Sequence, residues 1–328
     1  MKKIWDPVEE TWKPVQKKVS TPEQPAEPTQ EAAEPVQDEN PKPQKSSSVR
    51  LPRWLYRSLM IFFAVMFTVS LVLIARYAIE SFRTSQGYND LADLKESLQN
   101  ITTVAPTTQT PTTQAPTVPG TSEPTVPPTT AAPTEPQILP EYLPFYEQNN
   151  DMVGWIEVPG TKVNYPVMQT PGNKDYYLKR DFYHNWSEWG SIYAREACDI
   201  NKPSDNVVLY GHHMADGSMF AQLETRYKKQ SFWEEHQYLT FDTLYEHHTY
   251  QIIAVFRTSA NVGQGFSYHI FNEADSEEEF NEFIAEVKRL ALYDTGLTAE
   301  YGDKLLTLST CEYTLDNGRF VVVAKRIS

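Results

Sequence analysis

KLLTLSTCEYTLDNGRFVVVAK, Lys304 to Lys325, is the stretch whose reading decides the fold. Lys304 to Cys311 is apolar and β-branched, and Phe320 to Ala324 is more so, which is the composition of two strands. Between them, Asp316-Asn317-Gly318 supplies residues that tolerate positive φ, so the chain turns back there and the strands pair as a hairpin. Cys311 then ends one strand and Arg319 begins the next. Strand ends are rigid and open to solvent, so a thiol and a guanidinium placed there can share one cleft. Composition alone leaves the register of the pair open.

Working outward, the chain is rich in aromatics from Ile138 onward. Short strands are predicted at Val153 to Val158, Val163 to Met168, Ser191 to Ala194, Asn206 to Tyr210, Tyr238 to Asp242 and Thr249 to Phe256, with turns such as Pro159-Gly160 and Pro171-Gly172 between them. Helices are predicted at Glu141 to Asn149, Ser218 to Lys229 and Glu277 to Leu292. The last is the clearest: Ser276 and Glu279 make a capping box, and Phe280, Phe283, Ile284, Val287 and Leu290 form an apolar stripe, which reads as core. With the final hairpin this is a mostly β domain over 138–328, best satisfied by a closed barrel with helices on its outside.

Residues 1–53 are Pro-, Glu-, Gln-, Lys- and Ser-rich and bury too little apolar surface to offset ordering entropy, so a disordered tail is expected. Ser58 to Ala75 carries no charge, and 18 helical residues rise about 27 Å, so with Trp54 and Tyr77 at its ends it reads as a membrane span over 54–77. It lies too far from the N-terminus for a signal peptide and lacks an Ala-x-Ala site. Lys42, Lys45, Arg50, Arg53 and Arg57 precede it, against Arg76 and Arg83 after it, which sets the N-terminus in the cytoplasm and the rest outside. Residues 78–101 form a short extracellular segment in which Asp90 to Asn100 reads as a helix capped by Asn89, with Leu91, Leu94 and Leu98 on one face. Residues 102–137 are almost all Thr, Pro, Ala, Val and Gln, an extended stalk that at about 3.1 Å per residue reaches about 100 Å.

The net charge of −14 argues against a nucleic-acid partner. Two cysteines, Cys198 and Cys311, are no disulfide framework; Cys198 reads as structural. A lone cysteine is by default a small core residue, so Cys311 needs context. His212 and His213 follow the strand Asn206 to Tyr210 and Gly211, and a glycine at a strand exit permits close approach of another group. Adjacent histidines on extended chain face opposite ways, so one of the two faces any given cleft. They lack an acidic or His partner at ligand spacing, so no metal is assigned. His247 and His248 read as surface, His184, His236 and His269 as structural, and Asp216 as a turn or cap residue.

The run Thr307-Leu308-Ser309-Thr310-Cys311 followed by Arg319 resembles the signature of class B sortases, cysteine transpeptidases of Gram-positive cell surfaces. Tyr210-Gly211-His212-His213 resembles the family's catalytic-histidine motif, Asp151 to Phe182 its opening strands, and the insertion holding Glu277 to Leu292 its class B hallmark. The resemblance covers about 140 to 328, together with the N-terminal anchor layout; the long tail and the Thr/Pro segment are outside its usual pattern. It implies a sortase-like eight-stranded barrel with Cys311, His212 and Arg319 as catalytic residues, supporting roles for Ser309 and Glu312, and no cofactor. It further implies, as partners, secreted proteins with a C-terminal Asn-Pro-x-Thr type sorting signal and an amine of peptidoglycan or of its lipid-linked precursor.

The residue types suit that chemistry. A nearby imidazolium and guanidinium favour a thiolate, His can protonate a leaving amine and deprotonate an incoming one, and Arg can hold an oxyanion. Glu312 beside the nucleophile opposes a thiolate electrostatically, and both it and Ser309 can equally well only finish the strand. Two alternatives use the same sequence: a thiol hydrolase with water as acceptor, and a non-enzymatic surface binding domain.

Overall fold

The computed structural model describes residues 3–6, 11–14, 52–104, 136–261 and 263–328. The chain divides into two compact units, Met1–Phe62 and Phe63–Ser328. In the first, β1 (Lys3–Asp6) and β2 (Thr11–Pro14) pair antiparallel, with Trp5 opposite Trp12. The rest of the expected tail, and residues 105–135 of the expected stalk, lie outside the described residues.

Helix α1 runs unbroken over Arg53–Val104. It is the one described helix long and apolar enough to cross a membrane, with a window of mean hydropathy 2.6 and none of that window buried. The short helix expected at Asp90 to Asn100 is its last part, and Asn89 is an interior residue rather than a cap. Continuity follows from composition: no proline interrupts the segment, and the single Gly87 costs only about 1 kcal/mol. Of the face expected here, Leu91 is 4% exposed and Leu98 packs against the core, but Leu94 is 40% exposed; the barrel-facing side runs through Ser81, Tyr88, Leu91 and Lys95, with Tyr77 half exposed at its start.

Beyond it come α2 (Leu143–Gln148), β3 (Met152–Glu157), β4 (Asn164–Met168), β5 (Ile192–Ala194), β6 (Asn206–Tyr210), α3 (Ala221–Tyr227), α4 (Gln230–Glu235), β7 (Tyr238–Thr243), β8 (Thr249–Ser259), α5 (Glu277–Leu290), β9 (Leu305–Glu312) and β10 (Gly318–Arg326). The eight strands β3 to β10 close into a barrel in the order β10-β8-β7-β3-β4-β5-β6-β9. All pairs are antiparallel except β4 with β5 and β6 with β9. The helix expected over Ser218 to Lys229 is α3 alone, ending at Tyr227, and after Lys228 and Lys229 a separate α4 follows that was not expected.

Leu305 to Thr310 of β9 are all buried, on both faces of the strand. One face lines the barrel interior, and the other is covered by helices and loops. α3 packs against β9, while α5 packs against β8 and buries Phe280, Phe283, Ile284 and Val287, each stabilising by about 1.5–3 kcal/mol. Its N-terminus is capped as expected: Ser276 Oγ accepts from the Glu279 amide at 3.2 Å, while the Glu279 carboxylate reaches back to the Asp275 amide at 2.8 Å.

Candidate active site

The hairpin β9–β10 places Arg319 directly across from Cys311. Facing residues in an antiparallel pair project from the same side of the sheet, so thiol and guanidinium emerge together. The turn is Tyr313 to Asn317, with Asn317 in the left-handed region at φ 48°. Gly318 is required for a different reason: a Cβ there would lie 2.5 Å from the Glu312 carbonyl oxygen.

His212 arrives from the other neighbour of β9. β6 runs parallel to β9 with Tyr210 level with Ser309, and the Gly211 amide donates to the Ser309 carbonyl at 3.2 Å. Two residues further on, each strand delivers a candidate side chain: His212 from one, Cys311 from the other. Gly211 is needed at this exit because a Cβ would meet the Phe220 ring at 2.7 Å. Cys311, His212 and Arg319 thus line one cleft of about 410 Å³, with Leu178, Tyr193 and Tyr210 on its walls.

The imidazole is held from a loop that the motifs did not mark. His212 Nε2–H donates to the Leu178 carbonyl at 2.7 Å, from the 3-10 turn Tyr176–Lys179. A carbonyl oxygen only accepts, so Nε2 carries the proton and Nδ1 of the neutral ring keeps its lone pair. Burial lowers the pKa of His212 below the usual histidine value; the Leu178 carbonyl acts in the opposite direction but does not prevail. Arg319 Nη1 donates to the carbonyls of Asn317 and Gly318 and to Asn317 Oδ1 at 2.9–3.2 Å. Its Nε and Nη2 make no hydrogen bond to the described residues and remain available to a ligand. Lys174 and Arg195 also line the cleft, against Asp175 and Glu196. His269, on the same wall, is lowered by burial first and then by Arg195, Lys174 and Arg319, so those three cations act on one region.

Ser309 borders the same cleft from below its surface, whereas Glu312 is internal. Ser309 is buried and its Oγ lies 2.6 Å from the Tyr268 hydroxyl. The Glu312 side chain has no exposure, and its carboxylate accepts from the amides of Thr314 and Leu315 at 2.9 and 3.1 Å. Burial alone would raise the Glu312 pKa, but those bonds and Arg257 more than offset it, so the carboxyl stays ionised. Its charge goes into shaping the turn.

A partly buried chain of polar and charged groups beneath Cys311 has no sequence motif. His213 Nδ1–H donates to the Cys311 carbonyl at 3.0 Å and lies 3.3 Å from Glu224. Glu224 accepts from Arg257 at 3.2 Å, and Arg257 sits 3.7 Å from Glu312. The two adjacent histidines therefore face opposite ways, as extended chain requires, one into the cleft and one under it. Asp216 is a turn residue, accepting from the Ser218 amide at 2.9 Å. Cys198 is buried, and burial pushes its thiol pKa up, as a structural cysteine's would be. His248, expected at the surface, is buried against Glu246, while His247 is half exposed between Glu141 and Asp242. Among the described residues, no cluster of His, Cys, Asp and Glu has the grouping of a metal site.

Comparison with known proteins agrees with this fold. The Sortase domain family matches residues 156–327. Sortase B of Staphylococcus aureus is 34% identical over 192 residues, covering 58% of this chain and 76% of that protein. Sortase B of Listeria monocytogenes is 31% identical over 183 residues, covering 55% and 71%. The Staphylococcus aureus sortase B–substrate complex superposes with a TM-score of 0.61 at 27% identity, over 76% of this chain and 99% of that one.

Proposed function

Because this chain belongs to the sortase family, and to its class B cysteine transpeptidases, we propose that Cys311 is its nucleophile, His212 its acid–base group and Arg319 its oxyanion donor. The Cys311 sulfur attacks the scissile carbonyl carbon, and its proton passes to His212 Nδ1. The C–N bond breaks as His212 returns that proton to the leaving amine, and a thioester remains on Cys311. An acceptor amine then attacks the thioester and gives its proton to His212, and the thiolate leaves and is reprotonated. Arg319 Nε and Nη2 hold the negative oxygen of each tetrahedral intermediate.

The observation that carries this reading is the strand register. Two different pairings, β6 with β9 and β9 with β10, deliver the three side chains to one cleft. The substrate is a secreted protein with a C-terminal Asn-Pro-x-Thr type signal, and the acceptor is a cell-wall amine of peptidoglycan or of its lipid-linked precursor. α1 anchors the enzyme in the cell membrane, with its basic N-terminal flank in the cytoplasm. A sortase B crystal structure in complex with triglycine supports an amine, rather than water, as the acceptor.

The test is incubation of the protein with an Asn-Pro-x-Thr peptide, with and without triglycine. The parental chain gives a ligated product and a thioester that hydroxylamine releases; Cys311→Ala gives neither. Release of the acyl product by Cys311→Ala at the parental rate would overturn the assignment. A product unchanged by added triglycine would make the enzyme a hydrolase.

A further inference from the structure

The Thr/Pro-rich segment was expected to be a stalk that sets the height of the catalytic domain. The chain on either side of it argues otherwise. Residues 77–95 of α1 precede the segment, and they already carry contacts to the barrel. Tyr77 stacks on Trp189 with ring centroids 5.6 Å apart. Ser81 Oγ donates to Asp216 at 2.9 Å, on the loop that follows His212. The Tyr88 hydroxyl donates to the Gly190 carbonyl at 2.9 Å and lies 3.0 Å from Ser191, and its ring meets Tyr165 edge-on at 5.3 Å. Lys95, 5% exposed, pairs with Glu157 at 3.3 Å and sits 5.3 Å from the Trp155 ring. On the far side of the segment, the Leu139 amide donates to the Leu244 carbonyl at 2.8 Å. Both flanks of residues 105–135 are therefore held by the same domain, and a linker whose two ends are tied to one body does not set that body's distance from anything else.

We infer that α1 itself seats the catalytic domain directly on the phospholipid bilayer surface as a rigid strut, and that residues 105–135 leave and rejoin the domain without bearing on its height. This rests on the proposed reading of α1 as a membrane span. The occupant follows from continuity: Tyr77 lies only two residues beyond Ala75, the end of the uncharged run. At 1.5 Å per residue that is about 3 Å, inside the roughly 5–7 Å headgroup layer where tyrosine and tryptophan are favoured. Lys95 lies about 30 Å along the same helix. The barrel contacts thus begin at the lipid headgroups and end about 30 Å out, whereas a stalk would place the domain about 100 Å away. Through Ser81 and Asp216, the strut also braces the loop that carries His212.

The experiment uses the full chain in a supported phosphatidylcholine/phosphatidylglycerol bilayer and reads the protein density profile by neutron reflectometry. A second chain carries residues 105–135 twice, since added loop length is cheap for a loop. The expected result is a protein layer contiguous with the headgroups in both chains, with profiles that coincide. A second pair of measurements uses Tyr88→Ala/Lys95→Ala, which is expected to loosen the layer and move its centre outward by more than about 10 Å, a fraction of the reach of the freed segment. Transpeptidation by each chain in detergent shows that it is folded. A layer separated from the lipid by tens of Å, or one that moves outward when the segment is doubled, overturns the inference while leaving the membrane span intact. Release of the chain from vesicles by alkaline carbonate overturns the span, and the inference with it.

Discussion

Replacing Glu224 probes whether the charged chain under the proposed nucleophile positions Cys311. Glu224→Ala removes the carboxylate that faces His213 at 3.3 Å and Arg257 at 3.2 Å. Arg257 then keeps only Glu312, at 3.7 Å, and its Nε already lacks a hydrogen bond. Breaking a fully buried pair costs about 3–5 kcal/mol. The Arg257 side chain is 30% exposed, so water recovers part of the loss, and about 2 kcal/mol is expected. For a folded unit of this size that lowers Tm by about 4–8 °C. Glu224→Gln, which keeps an acceptor for Arg257, loses about half as much. The same change frees the His213 imidazole, whose bond to the Cys311 carbonyl fixes the strand end. A shift of about 1 Å at a reacting centre costs up to about 10²-fold, so kcat falls roughly 10- to 100-fold with KM within about twofold. Thermal unfolding and steady-state ligation on the detergent-solubilised chain read both effects. An unchanged Tm and kcat in Glu224→Ala, or a loss expressed in KM alone, would refute the positioning argument.

His212 has a folded-state pKa below its unfolded value of about 6.5, so the native state resists protonation. Its contribution to stability is therefore full above about pH 6.5 and is lost as pH falls from there toward the folded pKa, and His212→Gln should flatten that part of a stability–pH curve. For the same reason the acid limb of kcat/KM should fall below about pH 6.5; a limb centred above it would contradict the buried neutral ring. Arg319→Lys keeps the charge but not the planar fork, and is expected to lower kcat about 10²- to 10³-fold in ligation assays with little change in Tm. Ser309→Ala leaves the buried Tyr268 hydroxyl without its 2.6 Å partner, so it should cost about 1–3 kcal/mol in denaturant unfolding while kcat stays within about threefold. A large loss of kcat without loss of stability would return Ser309 to the chemistry.

The strands were largely legible because their apolar runs are bounded by turn residues; β6 has the bounds that composition assigns. β8 runs on to Ser259, past the expected Phe256, because Arg257, Thr258 and Ser259 are polar yet pair with β10. Arg257, half-buried, is paired with acidic partners that lie far off in the chain, beyond what a local pattern can carry. The continuity of α1 was missed because its barrel-facing stripe mixes Tyr, Ser and Lys with Leu, and hydropathy does not register such a stripe. His212, Cys311 and Arg319 were legible as motifs, but the Leu178 carbonyl was not, since a backbone atom has no side-chain signature.

What the motifs leave unexplained is why β6 and β9 pair in one register. Leu305 to Thr310 are buried on both faces, so a slip of one residue would not expose an apolar face, the usual safeguard. Polar groups at the far end of the two strands supply the constraint. Thr307 Oγ donates to Asn206 Oδ1 at 2.7 Å, both residues having no exposure, and Asn206 Nδ2 donates to the Phe271 carbonyl at 2.9 Å. Beside them the Leu305 amide donates to the Asp205 carbonyl at 2.7 Å, and Lys304 pairs with Asp205 at 2.8 Å. A slip would strand two buried polar side chains, each at about 1–3 kcal/mol, and break an ion pair as well. Because side chains alternate, the same slip would turn Cys311 away from the cleft while His212 stayed. The polar lock at Asn206 therefore decides, from the opposite end of the barrel, that sulfur and imidazole share one cleft.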